Sequence, residues 1–124
     1  RTCFPSRGRA GRRVMTYRFI FTAWFDRNLK SLRKHNPSLR GDFDSFLQIF
    51  DAEAHPIIPR TGGARKARMS AKGRGKRGGY RVVYYFVLEN TVWLLTIYDK
   101  VQKENLSPEE EKIIQALIEK IHSS

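Results

Sequence analysis

The stretch RKARMSAKGRGKRGGYRVVYYF, residues 65–86, decides the fold, because it leads from a short alternating segment into the most β-prone run of the chain. It carries eight Lys or Arg side chains and no Asp or Glu. Lys66 and Arg68 alternate with apolar residues, so in a strand both cations lie on one face. Residues 71–79 contain four glycines and are expected to be irregular. We therefore predict a strand, an irregular turn and a strong second strand over residues 80–88.

The segments after this stretch complete a hairpin and end in a helix. Residues 89–91, Glu-Asn-Thr, predict a hairpin turn, and residues 92–98 predict its second strand. Ser107 is followed by a proline at the first helical position and a glutamate at the third, which together favour the start of a helix. Apolar residues at helical spacing continue that helix to Ile121.

The segments before the stretch predict one strand and two helices. Residues 17–21 are aromatic and β-branched, which favours an edge strand. Thr22 can cap a helix that ends at Asn36, because a residue before proline is pushed out of the α region. An apolar stripe over residues 39–50 predicts the second helix. The order predicts an α+β fold, an antiparallel β-sheet meander with two N-terminal helices and one C-terminal helix that cover one of its faces.

Length and composition predict one domain preceded by a basic segment. The chain has 124 residues, of which 40% are hydrophobic, and this suffices for one modest core. Residues 1–14 hold five arginines without periodicity. We expect them to be a flexible basic lead-in, either a remnant of expression or an upstream reading frame, before a native start at Met15; a disordered arm that touches nucleic acid is the alternative. Residues 15–124 then form the single domain. Without the five arginines, 19 basic and 12 acidic side chains leave a formal charge of +7.

Neither a disulfide framework nor a membrane span is expected. Cys3 is the single cysteine and lies in the lead-in. Arg18 interrupts the apolar run that follows residue 14, and no cleavage pattern of small residues comes after it. No stretch reaches the ~18 apolar residues of a transmembrane helix. These patterns favour a cytoplasmic protein that does not enter a membrane.

The distribution of basic side chains indicates a polyanionic ligand. Residues 54–88 hold nine Lys or Arg and no acid, although the chain has 12 acids in all. A bound polyanion would relieve their mutual repulsion, and phosphate neutralisation is the general source of affinity for nucleic acid. The alternative is a solvated loop tip. It accounts for residues 72–77, but it accounts poorly for Lys66, Arg68 and Arg81, which lie in predicted strands.

The remaining motifs indicate no cofactor and no metal. Residues 73–78 match G-x-G-x-x-G by letter, but they open a strand, whereas the dinucleotide fingerprint opens a helix. His35, His55 and His122 lie far from the basic stretch, lack metal-ligand spacing and are expected to be solvated. Tyr98 ends a strand, and we expect it to stack on an unpaired RNA base.

Four blocks of the sequence resemble the RelE superfamily of bacterial toxins, and its HigB branch most closely: GGARK (62–66), GRGKRGGYRVVYY (73–85), LLTIYDK (94–100) and LSPE (106–109). The resemblance spans residues 17–121. It implies a RelE-like fold and a ribosome-dependent mRNA endoribonuclease, or mRNA interferase, that cuts mRNA in the ribosomal A site without a cofactor. It also implies a cognate antitoxin, in the HigB branch usually a helix-turn-helix protein of the HigA type.

The same resemblance implies a set of functional side chains. The catalytic residues it indicates are Lys66, Arg68, Arg81 and Lys100. We predict that Tyr98, an aromatic residue close to Lys100 at the end of a strand, joins them. Contacts with RNA are expected from Arg65, Lys72, Arg74, Lys76, Arg77 and Tyr80.

Chemistry favours cations at these positions. Attack by the 2′-hydroxyl builds negative charge on the phosphate, and one well-placed donor stabilises such charge by ~3–4 kcal/mol. Some relatives use a histidine or a C-terminal tyrosine that has no matching counterpart here. Lys66 or Tyr98 must then transfer protons, and we expect neighbouring cations to lower its pKa toward neutrality.

Two other functions remain open at this point. A ParE-like gyrase inhibitor shares the architecture, but it has no chemical reason to keep Lys66, Arg68 and Arg81 together. A plain RNA-binding module would bind RNA without forming products. Codon preference, the antitoxin docking surface and the oligomeric state cannot be derived from residue spacing.

Overall fold

A computed structural model describes residues 2–7, 14–71 and 75–123, with side chains for 16–71 and 79–123. Within these ranges the chain forms three helices and one mixed sheet, as the α+β prediction requires. The elements are β1 (Thr2–Arg7), β2 (Val14–Phe21), α1 (Ala23–His35), α2 (Leu39–Gln48), β3 (Arg65–Ala71), β4 (Gly75–Val87), β5 (Thr91–Asp99) and α3 (Pro108–Ser123).

The sheet has the strand order β1-β2-β5-β4-β3. Strands β3, β4 and β5 form the predicted antiparallel meander. Strand β2 pairs with β5 in parallel, so the sheet is mixed. Strand β1 pairs antiparallel with β2. Thr2–Arg7, which belong to the predicted lead-in, thus lie at the edge of the sheet; an edge strand such as β2 offers unpaired backbone groups to a segment beside it.

Part of the segment that the sequence predicts to be irregular belongs to strands, and residues 72–74 of it lie outside the described residues. Residues 71–79 were expected to be irregular, yet Ala71 still belongs to β3 and β4 begins at Gly75. Gly79 permits a close approach of these strands, because a Cβ atom there would lie 2.1 Å from the carbonyl oxygen of Met69. Its glycine character thus serves packing between β3 and β4.

Helix α1 begins directly after β2. It packs against β5, whose pairing with β2 ends at Leu94. The Thr22 hydroxyl accepts a hydrogen bond from the Phe25 N–H at 3.2 Å and donates to the Leu94 carbonyl at 2.9 Å. The predicted cap of α1 is thus confirmed, and it also ties the helix to β5. Further along, the Asn28 amide donates to the Thr96 hydroxyl at 2.7 Å, so α1 stays beside the strand.

Hydrophobic residues form two clusters on opposite faces of the sheet. The first contains the buried side chains of α2, such as Phe43, together with Val82 of β4. The second contains Ile114 and Ile118 of α3 together with Val83. Successive residues of a strand point to opposite faces, so α2 and α3 cover different faces. The expectation that the helices cover one face is therefore wrong.

The predicted ends of α3 and of the hairpin are confirmed in detail. The Glu110 N–H donates to the Ser107 hydroxyl at 3.1 Å, and Glu110 accepts from the Ser107 N–H at 2.9 Å, which is a capping box. Glu89 and Asn90 in the hairpin turn have φ angles of 65° and 56°. In the parts of the chain that the structure describes, no helix combines the length and apolar character needed to cross a bilayer.

Candidate functional site

Strand register brings the predicted cations onto one face of the sheet. Arg68 of β3 lies opposite Arg81 of β4, and Arg81 lies opposite Tyr98 of β5. Lys66 lies opposite Val83, which belongs to the cluster under α3. Directly opposite residues share a face. Lys66, Arg68 and Arg81 therefore occupy the face that α3 covers only in part, while Ala67 and Met69 are buried on the other face.

These three cations line one cavity of about 600 Å³. Lys100, from the loop that follows β5, joins them. Its backbone N–H donates to the Gly79 carbonyl at 3.1 Å, so the start of this loop is held against β4. The opposite wall is the loop between α2 and β3, which includes Asp51 and His55. The cavity is therefore lined by four cations, supplied by β3, β4 and the loop after β5.

Arg81 is the most deeply placed of these cations, with 5% of its surface exposed. One guanidinium N–H donates to the carbonyl of Tyr80 at 3.2 Å. Among the described residues, no carboxylate forms a salt bridge with it. Burial, and then the charge of Arg68, lower the pKa of Arg81. A buried guanidinium without an acidic partner is costly, and a bound phosphate would relieve that cost.

Lys66 lies between Arg81 and the loop before β3. Its backbone N–H donates to the Pro56 carbonyl at 3.1 Å. Burial lowers the pKa of its side chain, and the charges of Arg81, Lys100 and Arg68 lower it further. The direction agrees with the expectation for Lys66, since every neighbouring cation disfavours a second positive charge.

Two carboxylates also line the cavity, although the basic stretch itself contains no acid. Asp51 belongs to the loop after α2, and Glu104 to the loop after β5. A Glu104 oxygen lies 3.3 Å from the Lys100 ammonium, and the Glu104 side chain is 80% exposed. An ion pair with an exposed glutamate contributes little stability. A phosphate can therefore displace the Glu104 carboxylate from the Lys100 ammonium.

Tyr98 does not line this cavity, in contrast to its predicted role. Its side chain is 6% exposed, and the Lys103 ammonium lies 4.9 Å from the centre of its ring. The ring is thus covered and offers no surface for stacking on a base. Burial raises the pKa of Tyr98 and outweighs the opposing charge of Arg81, so the expected shift toward neutrality is wrong for this tyrosine. Its hydroxyl finds no hydrogen-bond partner among the residues described.

Two of the expected RNA contacts lie away from the cavity. Tyr80 is 1% exposed in the core on the opposite face, and its hydroxyl accepts from the Asn36 amide at 3.0 Å. Arg65 donates to the carbonyl of His55 at 2.7 Å. Neither side chain lines the cavity: Tyr80 packs in the core, and Arg65 is bonded to the loop that forms the cavity wall. Four others, Lys72, Arg74, Lys76 and Arg77, have side chains outside the described residues.

His55 is a cavity residue that sequence reasoning missed. The sequence places it in a proline-rich loop ten positions before Arg65, and it was expected to be solvated. In the structure it is half-buried and lines the cavity with Lys66 and Arg81. His122 was also expected to be solvated, and it is exposed; its ring pairs with the Tyr85 hydroxyl at 2.5 Å. No local signal distinguishes His55, because the fold of the loop alone brings it to β3.

The cavity can bind phosphate groups through converging cations, since a guanidinium fork matches two phosphate oxygens. Comparison with known proteins matches residues 17–123 to the family model described as the RelE toxin of the RelE/RelB toxin–antitoxin system. The match covers the three helices and strands β3 to β5 entirely, as well as most of β2. The chain therefore belongs to the RelE family of toxins from toxin–antitoxin systems.

Proposed function

We propose that this protein is a ribosome-dependent mRNA endoribonuclease of the HigB type, which inhibits translation until its antitoxin binds it. RelE toxins are typically endoribonucleases that inhibit translation. The observation that carries the proposal is the set of Lys66, Arg68 and Arg81 on one sheet face, lining one cavity with Lys100. A gyrase inhibitor has no chemical need for a buried guanidinium in such a place, and a plain binding module would bind phosphate there without forming products.

Cleavage would proceed by attack of a ribose 2′-hydroxyl on the adjacent phosphate, without a metal ion. The phosphorane that forms carries an additional negative charge. Arg81 and Arg68 would bind its oxygens, and Arg81 is already desolvated and held by the Tyr80 carbonyl. A preorganised donor of this kind contributes ~3–4 kcal/mol to the stability of the transition state. Lys100 would bind a neighbouring phosphate once Glu104 releases it.

Lys66 suits proton transfer better than Tyr98 does. Its pKa is lowered by burial and by three cations, whereas burial raises the pKa of Tyr98. An ammonium group with a lowered pKa is a stronger acid, and it can protonate the departing 5′-oxygen. We assign Lys66 this role and assign Tyr98 to the support of Arg81, which lies opposite it in the sheet.

The partners of this activity are the translating ribosome, mRNA and a cognate antitoxin of the helix-turn-helix, HigA-like type. Ribosomes place the activity in the cytoplasm. The mRNA in the decoding site presents a closely spaced row of phosphates, which suits a cavity with several cations.

The test is to induce the protein in bacterial cells and to map mRNA 5′ ends. The matched control is a message that lacks the start codon but is otherwise identical, so that it is not translated. We expect new 5′ ends, phased with codons, only on the translated message. Intact mRNA with gyrase-dependent DNA breaks would instead support a ParE-like activity, and intact mRNA with normal growth would support a binding module.

A further inference from the structure

A second cavity, of about 410 Å³, lies between α1 and β5. Trp24 and Asn28 of α1 form one wall, and residues 96–99 of β5 form the other. Lys103 and Glu110 also line it. Side chains of a strand alternate between the two faces of its sheet, so four successive residues line one cavity only where the edge of the strand is part of the wall. The backbone edge of β5 therefore faces this cavity.

The backbone of Ile97 is open at this edge. The Lys100 N–H donates to the Gly79 carbonyl at 3.1 Å. Antiparallel strands exchange hydrogen bonds at every second residue, so Tyr98 also turns its backbone groups toward β4, and Ile97 turns its N–H and its carbonyl away from β4. Strand β2 does not reach these groups, because its pairing with β5 ends at Leu94. Among the described residues, neither α1 nor the loop after β5 forms a backbone hydrogen bond with them.

The open part of this edge is short. On one side of Ile97, the Thr22 hydroxyl donates to the Leu95 carbonyl at 3.1 Å. On the other side, the Asp99 carbonyl accepts from the N–H groups of residues 102 and 103, each at 3.1 Å. A peptide that adds to a sheet needs a run of open backbone groups, whereas a planar ring needs only one donor and one acceptor side by side. The edge therefore favours a single planar ring over a peptide strand.

Two side chains add to the donor and the acceptor of Ile97. Tyr98 lines the cavity, and its buried hydroxyl has no hydrogen-bond partner among the residues described. A buried donor without a partner costs stability, and a ligand that accepts a hydrogen bond from this hydroxyl would remove the cost. Trp24 is half-buried and presents an aromatic ring to the same cavity. Nucleobases stack on such rings.

We propose that this cavity binds one unpaired nucleobase, and that adenine matches it best. Adenine carries an amino group next to a ring nitrogen that accepts, and these two groups complement the carbonyl and the N–H of Ile97. A further ring nitrogen accepts from the Tyr98 hydroxyl, and the base stacks on Trp24. The volume lies within the range of small-molecule sites. The base can belong to an RNA strand or to a free nucleoside. The cavity shares no lining residue with the cationic cavity, so the two sites are distinct.

The experiment is an NMR titration of the full chain with adenosine, which has no phosphate that could bind in the cationic cavity. We expect saturable shifts of the Ile97 amide signal, and none with ribose, which lacks the base. Tyr98→Phe removes only the hydroxyl and should weaken adenosine binding roughly three- to tenfold. Ser31→Trp should abolish binding, because Ser31 is exposed and lines the cavity. Trp93→Leu is the matched control, because Trp93 is half-buried on β5 outside this cavity, and it should bind adenosine normally.

A short riboadenylate strand distinguishes the two sources of the base. If Tyr98→Phe weakens binding of this strand by the same factor as binding of adenosine, the base belongs to RNA; if it weakens binding of adenosine alone, the ligand is a free nucleoside. Absence of a saturable shift with adenosine refutes the site, and so does equal binding by the unaltered protein, Tyr98→Phe and Ser31→Trp. The titration contains no ribosome and measures no cleavage, so its failure leaves the proposed function untouched.

Discussion

Replacement of Arg81 by methionine should abolish cleavage and raise stability at the same time. The reason is that Arg81 is buried without an acidic partner in the described structure, beside Arg68. A side chain that is placed for a ligand, and not for the fold, costs stability in the absence of that ligand. Methionine keeps most of the volume and the flexible stem but removes the charge.

The expected magnitudes follow from what the side chain contacts. Loss of one preorganised donor lowers the rate by about 10²–10³, or ~2.7–4 kcal/mol. Replacement of buried charges by apolar groups of similar volume stabilises proteins by up to about 4 kcal/mol. Loss of the hydrogen bond to the Tyr80 carbonyl offsets roughly 1 kcal/mol of this gain. With a gain of about 2 kcal/mol, within this range, we expect a net gain of about 1 kcal/mol, which raises Tm by roughly 4 °C.

Two assays check this prediction on the same protein sample. Single-turnover cleavage on programmed ribosomes gives the rate, and thermal unfolding gives Tm. Arg40→Met is the matched control, because Arg40 is exposed on α2, and it should change neither quantity by a measurable amount. Undiminished cleavage by Arg81→Met would refute the role in binding phosphate. A fall in Tm would refute the claim that the buried charge of Arg81 lowers the stability of the folded protein.

Three further predictions concern the cap of α3, the hairpin and the pH dependence of stability. Glu110→Ala should lower the free energy of unfolding by about 1 kcal/mol at pH 7. Burial opposes ionisation of Glu110, but hydrogen bonds from Lys103 and Ser107 outweigh burial and lower the pKa of Glu110. The loss of stability in Glu110→Ala should therefore shrink as pH falls through that pKa. An equal loss in urea titrations at pH 3 and pH 7 would contradict this prediction. Glu89→Gly should raise the free energy of unfolding by ~0.5–1 kcal/mol, because glycine tolerates a positive φ, while the control Glu89→Ala keeps its Cβ and should show no gain; urea titrations measure both. The pKa of Lys66 is lowered from 10.5, so the folded state loses the Lys66 proton at a lower pH than the unfolded state does. The stability of the unaltered protein relative to Lys66→Met should therefore rise with pH up to about 10.5. A stability difference between the two proteins that does not change with pH would contradict the lowered pKa.

The helices and the hairpin could be predicted from the sequence because their signals are local. Thr22 and Asn36 bound α1, and Ser107 and Glu110 start α3 through contacts within one turn. Positive φ angles at residues 89–90 likewise depend on the hairpin alone. Each of these choices involves neighbours in the chain, so propensity and capping decide them.

The pairing of distant segments could not be predicted in this way. An apolar run such as that of β2 suits an antiparallel edge or a parallel partner equally well, and only the completed sheet selects β5. The two-sided arrangement of α2 and α3 has the same origin. Thr2–Arg7 carries no strand pattern of its own, and its pairing depends on the open edge of β2.

The site was predictable in its cations but not in its surroundings. Alternation in β3 and the position of Arg81 in β4 suffice to place three cations on one face. The burial of Tyr98 depends on Lys103 in a loop, and the arrival of His55 depends on bonds between that loop and β3. Both contacts involve loop residues, and loops have no periodic sequence pattern from which such contacts could be predicted.

The bond between Thr22 and Leu94 joins positions 72 residues apart, and β2 has no inner neighbour until β5 exists. Contacts of such high sequence separation form late. During synthesis, the side of β2 that pairs with β5 therefore stays without a partner strand until β5 has left the ribosome. A nascent copy therefore lacks the completed sheet, and with it the cationic cavity, until β5 and the loop after it have been made.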